Sequence, residues 1–445
     1  MVSRRGHPHA GLTLVEIMIT LVISGIISAS TFLFFAGQQR IYETQTKILN
    51  IQQNVWASME VVARYARAAG SGMFECTRPA SYAVAGSVTG ARARSTFPSA
   101  GPLTANLGAR PTTGLRAYND TSGVDQWIPP IWIVNNSTGT GADAAILAGT
   151  DVLTIAFGNR TSGTDTDATL AANVTDTTAG SLTLSGAGTA AIFRAGEFIL
   201  LLRLPSWAFG IDPTTDRGCT LLQLTSIPGT GVAVDHASSA VSGGHVWNPG
   251  GALAGMMPVD PITGTALTYP LTTSGVRNFG QLTWIRFYVA NQANNVPALM
   301  MQRLDLPAAG LGAPQVLAEG IEDLQVAYAC DTGILGNANL QTLNGTLDEG
   351  TTSDEKKIDE WANNVDGDGI AAANTNGFCN LPTALRITLV ARSLEADDLI
   401  DTALRDNGPI DVEDHVQTAS PRPKDQFRRR IMSTTIYPRN NRPTI

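Results

Sequence analysis

A lone carboxylate near the start of a long apolar run is the first chemically informative feature of the sequence. Glu16 is the single ionisable residue between Leu12 and Phe35. A charge inside such a segment is costly in a membrane and is expected to have a partner. The nearest candidate is the α-ammonium group that Leu12 acquires if the chain is cut after Gly11. We therefore predict cleavage after Gly11 and pairing of Glu16 with that amino group, of its own subunit or of a neighbour.

Residues 1–11 form a short basic leader that precedes the apolar run. Gly11 stands before the run, whereas a secretory signal peptide has its small-residue cleavage site after it. A cut after Gly11 leaves the apolar segment on the mature chain. As a helix, Leu12–Phe35 spans about 36 Å, which is enough to cross a bilayer. Arg4 and Arg5 favour a cytoplasmic leader and an exported remainder.

The hexapeptide Gly11-Leu12-Thr13-Leu14-Val15-Glu16 resembles the signal of type IV pilins and pseudopilins. That signal usually reads glycine, phenylalanine, threonine, leucine, a branched apolar residue and glutamate, so Leu12 replaces the usual phenylalanine. The resemblance implies that a prepilin peptidase cleaves after Gly11 and N-methylates Leu12. It also implies that Glu16 helps to register the subunit in a helical filament.

Four later blocks resemble PilW-type minor pilins. The first, Gly149–Ile155, is similar to the first core strand of that family, and Leu317–Tyr328 is similar to its most recognisable later block. Asp331 fits the aspartate that usually follows the second block. The closing strands of the family are similar to Leu385–Ser393 and Arg428–Asn440.

The elements that position the signal are predicted to be a long helix and a β-rich head. Beyond Gly37, apolar residues recur at three-, four- and seven-residue steps, which predicts one amphipathic helix continuing from Leu12 to Ala69. Those residues are Ile41, Ile48, Ile51, Val55, Met59 and Val62. The fold class is therefore α+β, with a long N-terminal hydrophobic α-helix, the pilin spine, packed on a β-rich globular domain with long inserted loops. Gly25 and Gly37 are positions where the helix can bend.

The head is predicted to consist of short strands separated by long connections. Each strand has β-branched or aromatic residues and is bounded by Gly, Pro, Asn or Asp. The predicted strands are Ile131–Val134, Asp151–Phe157, Ser181–Leu184, Glu197–Leu202, Cys219–Ile227, Gly280–Val289, Ala298–Leu304, Leu385–Arg392 and Arg428–Tyr437. The block Leu317–Asp331 is expected to change from helix to strand. Three inserts look longer than the family minimum, at 86–130, 158–190 and 333–380.

These patterns divide the chain into four parts. We expect a cleaved leader at 1–11 and a transmembrane or filament-core helix at 12–36. An amphipathic continuation of the spine follows at 37–70. The remaining residues, 71–445, form the exported β-rich pilin head with its inserts.

Cysteine usage and charge fit an exported protein. The four cysteines follow the apolar segment, and an even count in an exported compartment predicts two disulfides, with three possible connectivities. We favour the pairs Cys330–Cys379 and Cys76–Cys219. The net charge of −8 argues against a nucleic-acid partner, which requires a basic surface. The basic run Arg428–Arg430 predicts a solvated or edge-protecting feature, with DNA, acidic partners or lipid head groups as alternatives.

One insert contains half of a calcium-loop pattern. Asn364, Asp366 and Asp368 place oxygen side chains at alternate positions, and Ile370 can supply a backbone carbonyl. The twelfth position is Thr375, however, instead of the bidentate glutamate of an EF-hand. The alternative is a solvated loop stabilised by Asx-turns.

The sequence contains no pattern typical of an enzyme. His236, His245 and His415 are scattered without metal-ligand spacing, and no nucleophile elbow, phosphate-binding glycine loop or CxxC pair occurs. We therefore expect a non-catalytic protein.

Two classes of function remain open. The resemblance implies a minor pilin that primes assembly and lies at the pilus tip, with other minor and major pilins, a prepilin peptidase, the inner-membrane assembly platform and a tip adhesin as partners. It implies a single-pass location in the inner membrane with a periplasmic head, and later an extracellular pilus. The long inserts favour instead an adhesin-like tip module that binds a surface ligand. A J-type pseudopilin of type II secretion is the alternative within the family. Motility, adhesion and DNA uptake all remain open as roles.

Overall fold

One helix forms the whole N-terminal part of the described chain. The structure is a computed structural model that describes residues 13–71, 93–95, 131–137, 139, 145–159, 168–171, 180–186, 189–203, 219–227, 231–235, 274–305, 310–329, 361–362, 384–397, 410–415 and 425–438. Helix α1 runs over Leu14–Ala68, 55 residues without a break, so the predicted single helix is confirmed. It is about 82 Å long at 1.5 Å per residue.

The two ends of α1 are capped by different means. At the start, the side chain of Thr13 accepts the backbone N–H of Glu16 at 3.3 Å, and the Glu16 carboxylate accepts the backbone N–H of Thr13 at 2.9 Å. This reciprocal pair is a capping box. At the end, Gly70 takes a left-handed conformation with φ of 72°, as residues after a helix often do. Its N–H donates to the carbonyl of Ala156 at 2.9 Å, which ties the helix end to the head.

The remainder is β-rich, which confirms the α+β class. The described strands are, in chain order, β1 (Ala93–Ser95), β2 (Ile131–Val134), β3 (Val152–Asn159), β4 (Ala168–Thr169), β5 (Ser181–Thr183), β6 (Phe198–Arg203), β7 (Cys219–Gln223), β8 (Ala233–Asp235), β9 (Ser274–Asn291), β10 (Pro297–Asp305), β11 (Gly310–Leu311), β12 (Gln315–Glu319), β13 (Ile321–Ala329), β14 (Trp361–Ala362), β15 (Ala384–Arg392) and β16 (Arg429–Ile436). Every strand predicted from the sequence overlaps one of these strands. Strand β9 begins at Ser274, earlier than the predicted Gly280.

Two sheets carry most of the head. In the larger one, the long strand β9 pairs with β6 and β4 along its first half and with β3 and β10 along its second half. The smaller sheet has the order β14-β13-β15-β16 and is antiparallel throughout. Strands β5 and β8 form a separate pair.

Both sheets and the second half of α1 share one hydrophobic core. The helix contributes one face, namely Ile51, Val55, Met59, Val62, Ala63 and Ala66, all of them buried. The larger sheet contributes Leu153, Ile155 and Phe287, and the smaller sheet contributes Leu324, Tyr328 and Leu389. The helix therefore completes the core of the head and is not an attached stalk.

The block Leu317–Asp331 does not change from helix to strand as predicted. It is strand on both sides of a corner at Gly320, since β12 pairs with β10 of the larger sheet and β13 pairs with β15 of the smaller one. Gly320 has φ of 79°, and a Cβ there would lie 2.7 Å from the carbonyl oxygen of Arg392. The apolar residues of the two strands face one core from both sides of the turn. Their combined spacing in the sequence resembles that of a helix.

We predict that a polar residue at Val62 loosens the helix from the head. Val62 is 0% exposed, so Val62→Asn buries an amide without a partner and should lower the free energy of unfolding by about 2–4 kcal/mol. Urea unfolding of the full chain in detergent measures the effect. The control Gln53→Asn lies on the exposed side of the same helix and should change it by less than about 0.5 kcal/mol. Equal losses in the two variants would contradict the shared core.

Candidate functional site

The first half of α1 is an apolar surface without cover in the described part of the chain. From Leu14 to Phe35 every residue is exposed; Leu14 is 74% and Phe32 is 72% exposed. The helix is long and apolar enough to cross a membrane. Water does not stabilise such a surface, since burying each large aliphatic side chain is worth about 1.5–3 kcal/mol. This half of the helix therefore requires lipid or other helices around it.

Three hydroxyl side chains of this half donate hydrogen bonds to carbonyls of the helix itself. The hydroxyl of Thr20 donates to the carbonyl of Glu16 at 2.6 Å, that of Ser24 donates to Leu21 at 3.0 Å, and that of Thr31 donates to Ile27 at 2.8 Å. Internal bonds of this kind remove the need for water along a helix. The segment can therefore exist equally well in lipid and among other apolar helices.

Glu16 lies at the start of this segment, as the sequence predicts. Its carboxylate also accepts the side-chain hydroxyl of Thr13 at 3.0 Å, in addition to the backbone bond of the capping box. Gly11 and Leu12 lie outside the described residues, so cleavage, methylation and the ion pair of Glu16 with the Leu12 amino group stay predictions.

Polar contacts fix the helix where it enters the head. The ammonium of Lys47 donates to the carbonyl of Ala396 at 3.2 Å and lies 3.8 Å from the carboxylate of Glu395. Further along the helix, the side-chain amide of Asn54, next to the buried Val55, donates to the carbonyl of Glu319 at 3.4 Å. These contacts mark the boundary between the half of α1 that the head covers and the half that it leaves open.

Asp151 connects the two sheets behind the helix. Its buried carboxylate accepts the backbone N–H of Asn136 at 2.8 Å and that of Val326 at 2.7 Å. Its own N–H donates to the carbonyl of Leu324 at 2.8 Å. Asp151 thus forms hydrogen bonds with the edge of β13, as a residue of a neighbouring strand would. The next residue, Val152, begins β3 of the larger sheet. A buried backbone edge would otherwise leave unpaired groups.

Gly149 allows this junction to close. It has φ of 85°, a conformation that residues with a Cβ rarely adopt, and a Cβ there would lie 2.6 Å from Nε2 of His415. Its carbonyl accepts the side-chain amide of Gln325 at 2.9 Å, and that amide also donates to Asp323 at 2.8 Å. The block Gly149-Thr150-Asp151 therefore has a physical role as the junction of the sheets.

A short segment at 410–415, here called the strap, crosses the same junction with three consecutive polar residues. Glu413 accepts two hydrogen bonds from Arg386, at 3.0 and 2.9 Å. Asp414 accepts the side-chain amide of Asn135 at 2.7 Å. His415 Nδ1 lies 2.7 Å from a carboxylate oxygen of Asp323. Each of these three side chains binds a different element, so the strap pins β15, β13 and the end of β2 together.

Burial and hydrogen bonding shift the pKa values of two residues at the junction, Asp151 and His415. Burial raises the pKa of Asp151 well above its usual range, against the opposing effect of its two backbone N–H donors, and the charges of Asp414 and Asp323 raise the pKa further. The hydrogen bond to Asp323 raises the pKa of His415, although burial acts in the opposite direction.

The sequence predicts a solvated or edge-protecting feature at Arg428–Arg430. At the first two positions the solvated alternative is wrong, because both side chains form ion pairs. Arg429 has a side chain that is only 4% exposed and lies between the carboxylates of Glu322 and Asp425. Arg428 pairs with Asp397, which is also buried. The run therefore forms internal ion pairs at the start of β16. Asp397 lies 31 positions from Arg428 and Glu322 lies 107 positions from Arg429, so their spacing in the sequence did not reveal these two pairs. Asp425 is a local partner, four positions before Arg429.

Most other predicted site residues lie outside the described residues. This holds for the calcium-loop residues Asn364, Asp366, Asp368 and Ile370 and for Cys76, Cys330 and Cys379. The backbone of Cys219 begins β7. The disulfides and the calcium loop stay predictions. Within the described residues, no three His, Cys, Asp or Glu side chains are grouped as a metal site.

We predict that Asp151→Asn separates the sheets. An amide has one acceptor oxygen, so one buried backbone N–H loses its partner, and the free energy of unfolding should fall by about 2–4 kcal/mol. Urea unfolding measures it. Glu395→Gln makes the same chemical change at a side chain that is 82% exposed and should cost less than about 0.5 kcal/mol. An unchanged midpoint for Asp151→Asn would contradict the junction.

The His415–Asp323 contact predicts a pH dependence of stability. Because the pKa of His415 is raised in the folded chain, its stabilising effect is complete below its unfolded value of about 6.5 and is lost as pH rises through the folded value. Asp323, Asp414 and Asp411 are the charged groups that act on it. The stability difference between the natural chain and His415→Gln should therefore shrink from pH 6 to pH 8. A difference that is constant over this range would exclude the effect.

Comparison with known families agrees with the geometry at both ends of the chain. Residues 286–440 match the family described as Type IV Pilus-assembly protein W, or PilW, and this range contains β10, β13, β15 and β16. Residues 7–32 match the prokaryotic N-terminal methylation motif, which includes Glu16 and most of the exposed apolar helix. No curated protein and no solved structure shows significant similarity to the chain. The two matches and the long apolar helix support a type IV pilin of the PilW type.

Proposed function

We propose that this minor pilin primes assembly of the type IV pilus and is located at the pilus tip. The observation that carries the proposal is the uncovered apolar half of α1, most of which lies within the methylation motif. This half is continuous with the half that the head binds. A subunit of this form is built to be held in a membrane first and in a helical bundle afterwards. Its role is mechanical and needs no catalysis.

The four parts of the chain follow from this role. Residues 1–11 are the leader that the prepilin peptidase removes, and residues 12–36 are the segment that moves from membrane to filament. Residues 37–70 continue the spine into the head, and residues 71–445 form the head. The basic leader favours a cytoplasmic N-terminus, so the head lies in the periplasm before assembly and outside the cell afterwards.

Cleavage changes the surroundings of Glu16. Removing the leader after Gly11 places a positive α-ammonium group on Leu12, next to the Thr13 that already binds the Glu16 carboxylate. In the apolar surroundings of a helical bundle, an unpaired carboxylate is costly, whereas a carboxylate paired with an ammonium group is tolerated. The pair therefore favours insertion of the subunit at one height, where Glu16 meets its own or a neighbouring amino group.

The tip position rests on the size of the head. The inserts at 86–130, 158–190 and 333–380 add bulk that a closely repeating shaft subunit cannot accommodate at every position. A subunit present once at the end of the filament has no such restriction. Its expected partners are other minor and major pilins, the inner-membrane assembly platform and a tip adhesin.

We predict that the chain from sheared pili begins with N-methylated Leu12. Mass spectrometry of the N-terminal peptide tests this directly, and deletion of the gene should greatly reduce surface pili. A chain in the pilus fraction that still begins at Met1 would contradict the processing step. Absence of the chain from that fraction, with normal piliation after deletion, would contradict the minor-pilin role.

Replacing Glu16 should block incorporation without blocking membrane insertion. We expect Glu16→Gln to lower the amount of the chain in sheared pili at least tenfold, because the neutral amide cannot form an ion pair with the amino group. The matched control Glu43→Gln changes an exposed glutamate on the same helix, whose described contact is with Gln39, and should leave the amount unchanged. Quantitative immunoblotting of membrane and pilus fractions measures both.

A further inference from the structure

Three side-chain oxygens at the junction of the two sheets are buried and accept no hydrogen bond from the described part of the chain. They are Oδ1 of Asn136, Oε1 of Gln325 and Oδ1 of Asp414. Asn136 lies just after β2, Gln325 lies within β13, and Asp414 belongs to the strap. A buried acceptor without a donor costs free energy, and in a native protein it indicates a bound water or ion. We call these three oxygens the acceptor set.

The hydrogen bonds of the same side chains fix the identity of the acceptor set. The amide nitrogen of Gln325 donates to the Asp323 carboxylate at 2.8 Å and to the carbonyl of Gly149 at 2.9 Å. The amide nitrogen of Asn136 donates to Oδ2 of Asp414 at 3.1 Å. Because each nitrogen already faces an acceptor, neither amide can be turned round. A ligand of the acceptor set must therefore be a donor or a cation.

The acceptor set belongs to one hydrogen-bond network. Asn136 and Asp414 are in direct contact, so their unpaired oxygens belong to adjacent groups. The Asp323 carboxylate that Gln325 binds also contacts His415, the residue after Asp414. Gln325 is 0% exposed, whereas Asn136 and Asp414 are half-buried. The acceptor set thus extends from the interior to the rim of the junction, where an ion can enter from solvent.

The charge at the junction favours a cation over a water molecule. Arg386 binds Glu413, and His415 contacts Asp323. The described hydrogen bonds of the Asp414 carboxylate, in contrast, come from the neutral amides of Asn135 and Asn136. One water molecule has two O–H donors and no charge, so it cannot serve three acceptors or compensate a carboxylate. A cation does both.

We propose that the acceptor set binds a calcium ion, with Asn136, Gln325 and Asp414 as its protein ligands. Calcium takes about six to eight oxygens and combines carboxylate, amide and water oxygens in one site. Amide oxygens here replace the group of acidic ligands that the described residues do not form. Since only one ligand is a carboxylate, we expect the affinity of an extracellular module, with a Kd of about 10⁻⁴–10⁻³ M.

Calcium at this position joins three elements of the head. Its ligands come from the end of β2, from β13 and from the strap, which are the elements that meet at the junction of the two sheets. The ion therefore strengthens the junction once the head is in a compartment that contains calcium. The site is separate in sequence from the predicted calcium loop at 364–370, and it does not depend on the position of the subunit in a pilus.

Calcium binding is tested on the purified full chain in a nonionic detergent. After treatment with EDTA, equilibrium dialysis against radioactive calcium should show saturable binding with a Kd of about 10⁻⁴–10⁻³ M. Calcium chloride at about ten times that Kd should raise the Tm by about 2–4 °C. Magnesium chloride at the same concentration should have a much smaller effect, because magnesium gives up its water reluctantly. No saturable binding, or an equal response to magnesium, would overturn the proposal.

Matched variants assign the binding to the acceptor set. Asp414→Asn removes the charged ligand and should weaken calcium binding about tenfold or more. Asn136→Gly removes an amide ligand at a position whose φ of 48° suits glycine, and it should have the same effect. Glu395→Gln removes one charge at a side chain that is 82% exposed and should leave the Kd unchanged. Unfolding midpoints in EDTA establish that each variant is folded.

A double substitution in the predicted calcium loop separates the two possible sites. In the variant that carries Asp366→Asn and Asp368→Asn, the calcium ion of the acceptor set should still bind with an unchanged Kd. Binding that is lost in this variant but kept in both Asp414→Asn and Asn136→Gly would overturn the proposal. No pilus is needed for these measurements, so their outcome is independent of the proposed function.

Discussion

An apolar helix half that has no partner in its own subunit is the constraint on which the rest of this structure depends. The side chains from Leu14 to Phe35 are exposed, and the hydroxyl groups of Thr20, Ser24 and Thr31 bond to their own helix. Nothing in the described head approaches them. The subunit therefore reaches a stable state only when a bilayer or other helices cover this surface. A membrane anchor and a filament core meet the same requirement, which is why one segment can serve in both.

The head has the complementary task of holding the other half of the same helix. Val55, Met59 and Val62 lie in a core to which both sheets contribute, so moving the helix would open the centre of the head. The sheets are held to each other by Asp151, which bonds the edge of β13, and by the strap at 410–415. Force applied to the spine is thus transmitted to a head whose two layers are joined by short, buried hydrogen bonds.

The sequence alone was sufficient for features that depend on local pattern. The apolar run and the step from it to an amphipathic stripe each follow from the period of one helix, and the structure agrees with both. The sequence-based prediction was wrong where one pattern fits two structures. The apolar spacing around Gly320 fits a helix, but the left-handed conformation of Gly320 makes this position a corner between two strands. His415 seemed scattered because its partner Asp323 lies 92 positions away in the chain. Contacts of that range have no local signature, and the same is true of the ion pair between Arg429 and Glu322, which are 107 positions apart.

The resemblance to known pilins located Gly149-Thr150-Asp151 without explaining it. The structure supplies the reason, since a side chain at Gly149 would collide with His415, and Asp151 completes the bonding of a strand edge.

The central claim is that one processed chain passes from the membrane into a filament while its head stays folded. Pulse labelling followed by fractionation tests it most directly. The account predicts that label first appears in the inner membrane in the full-length chain, then in a chain shortened by its leader, and finally in the sheared pilus fraction. Label that remains in the membrane throughout the chase, or that reaches the pilus with the leader still attached, would contradict it.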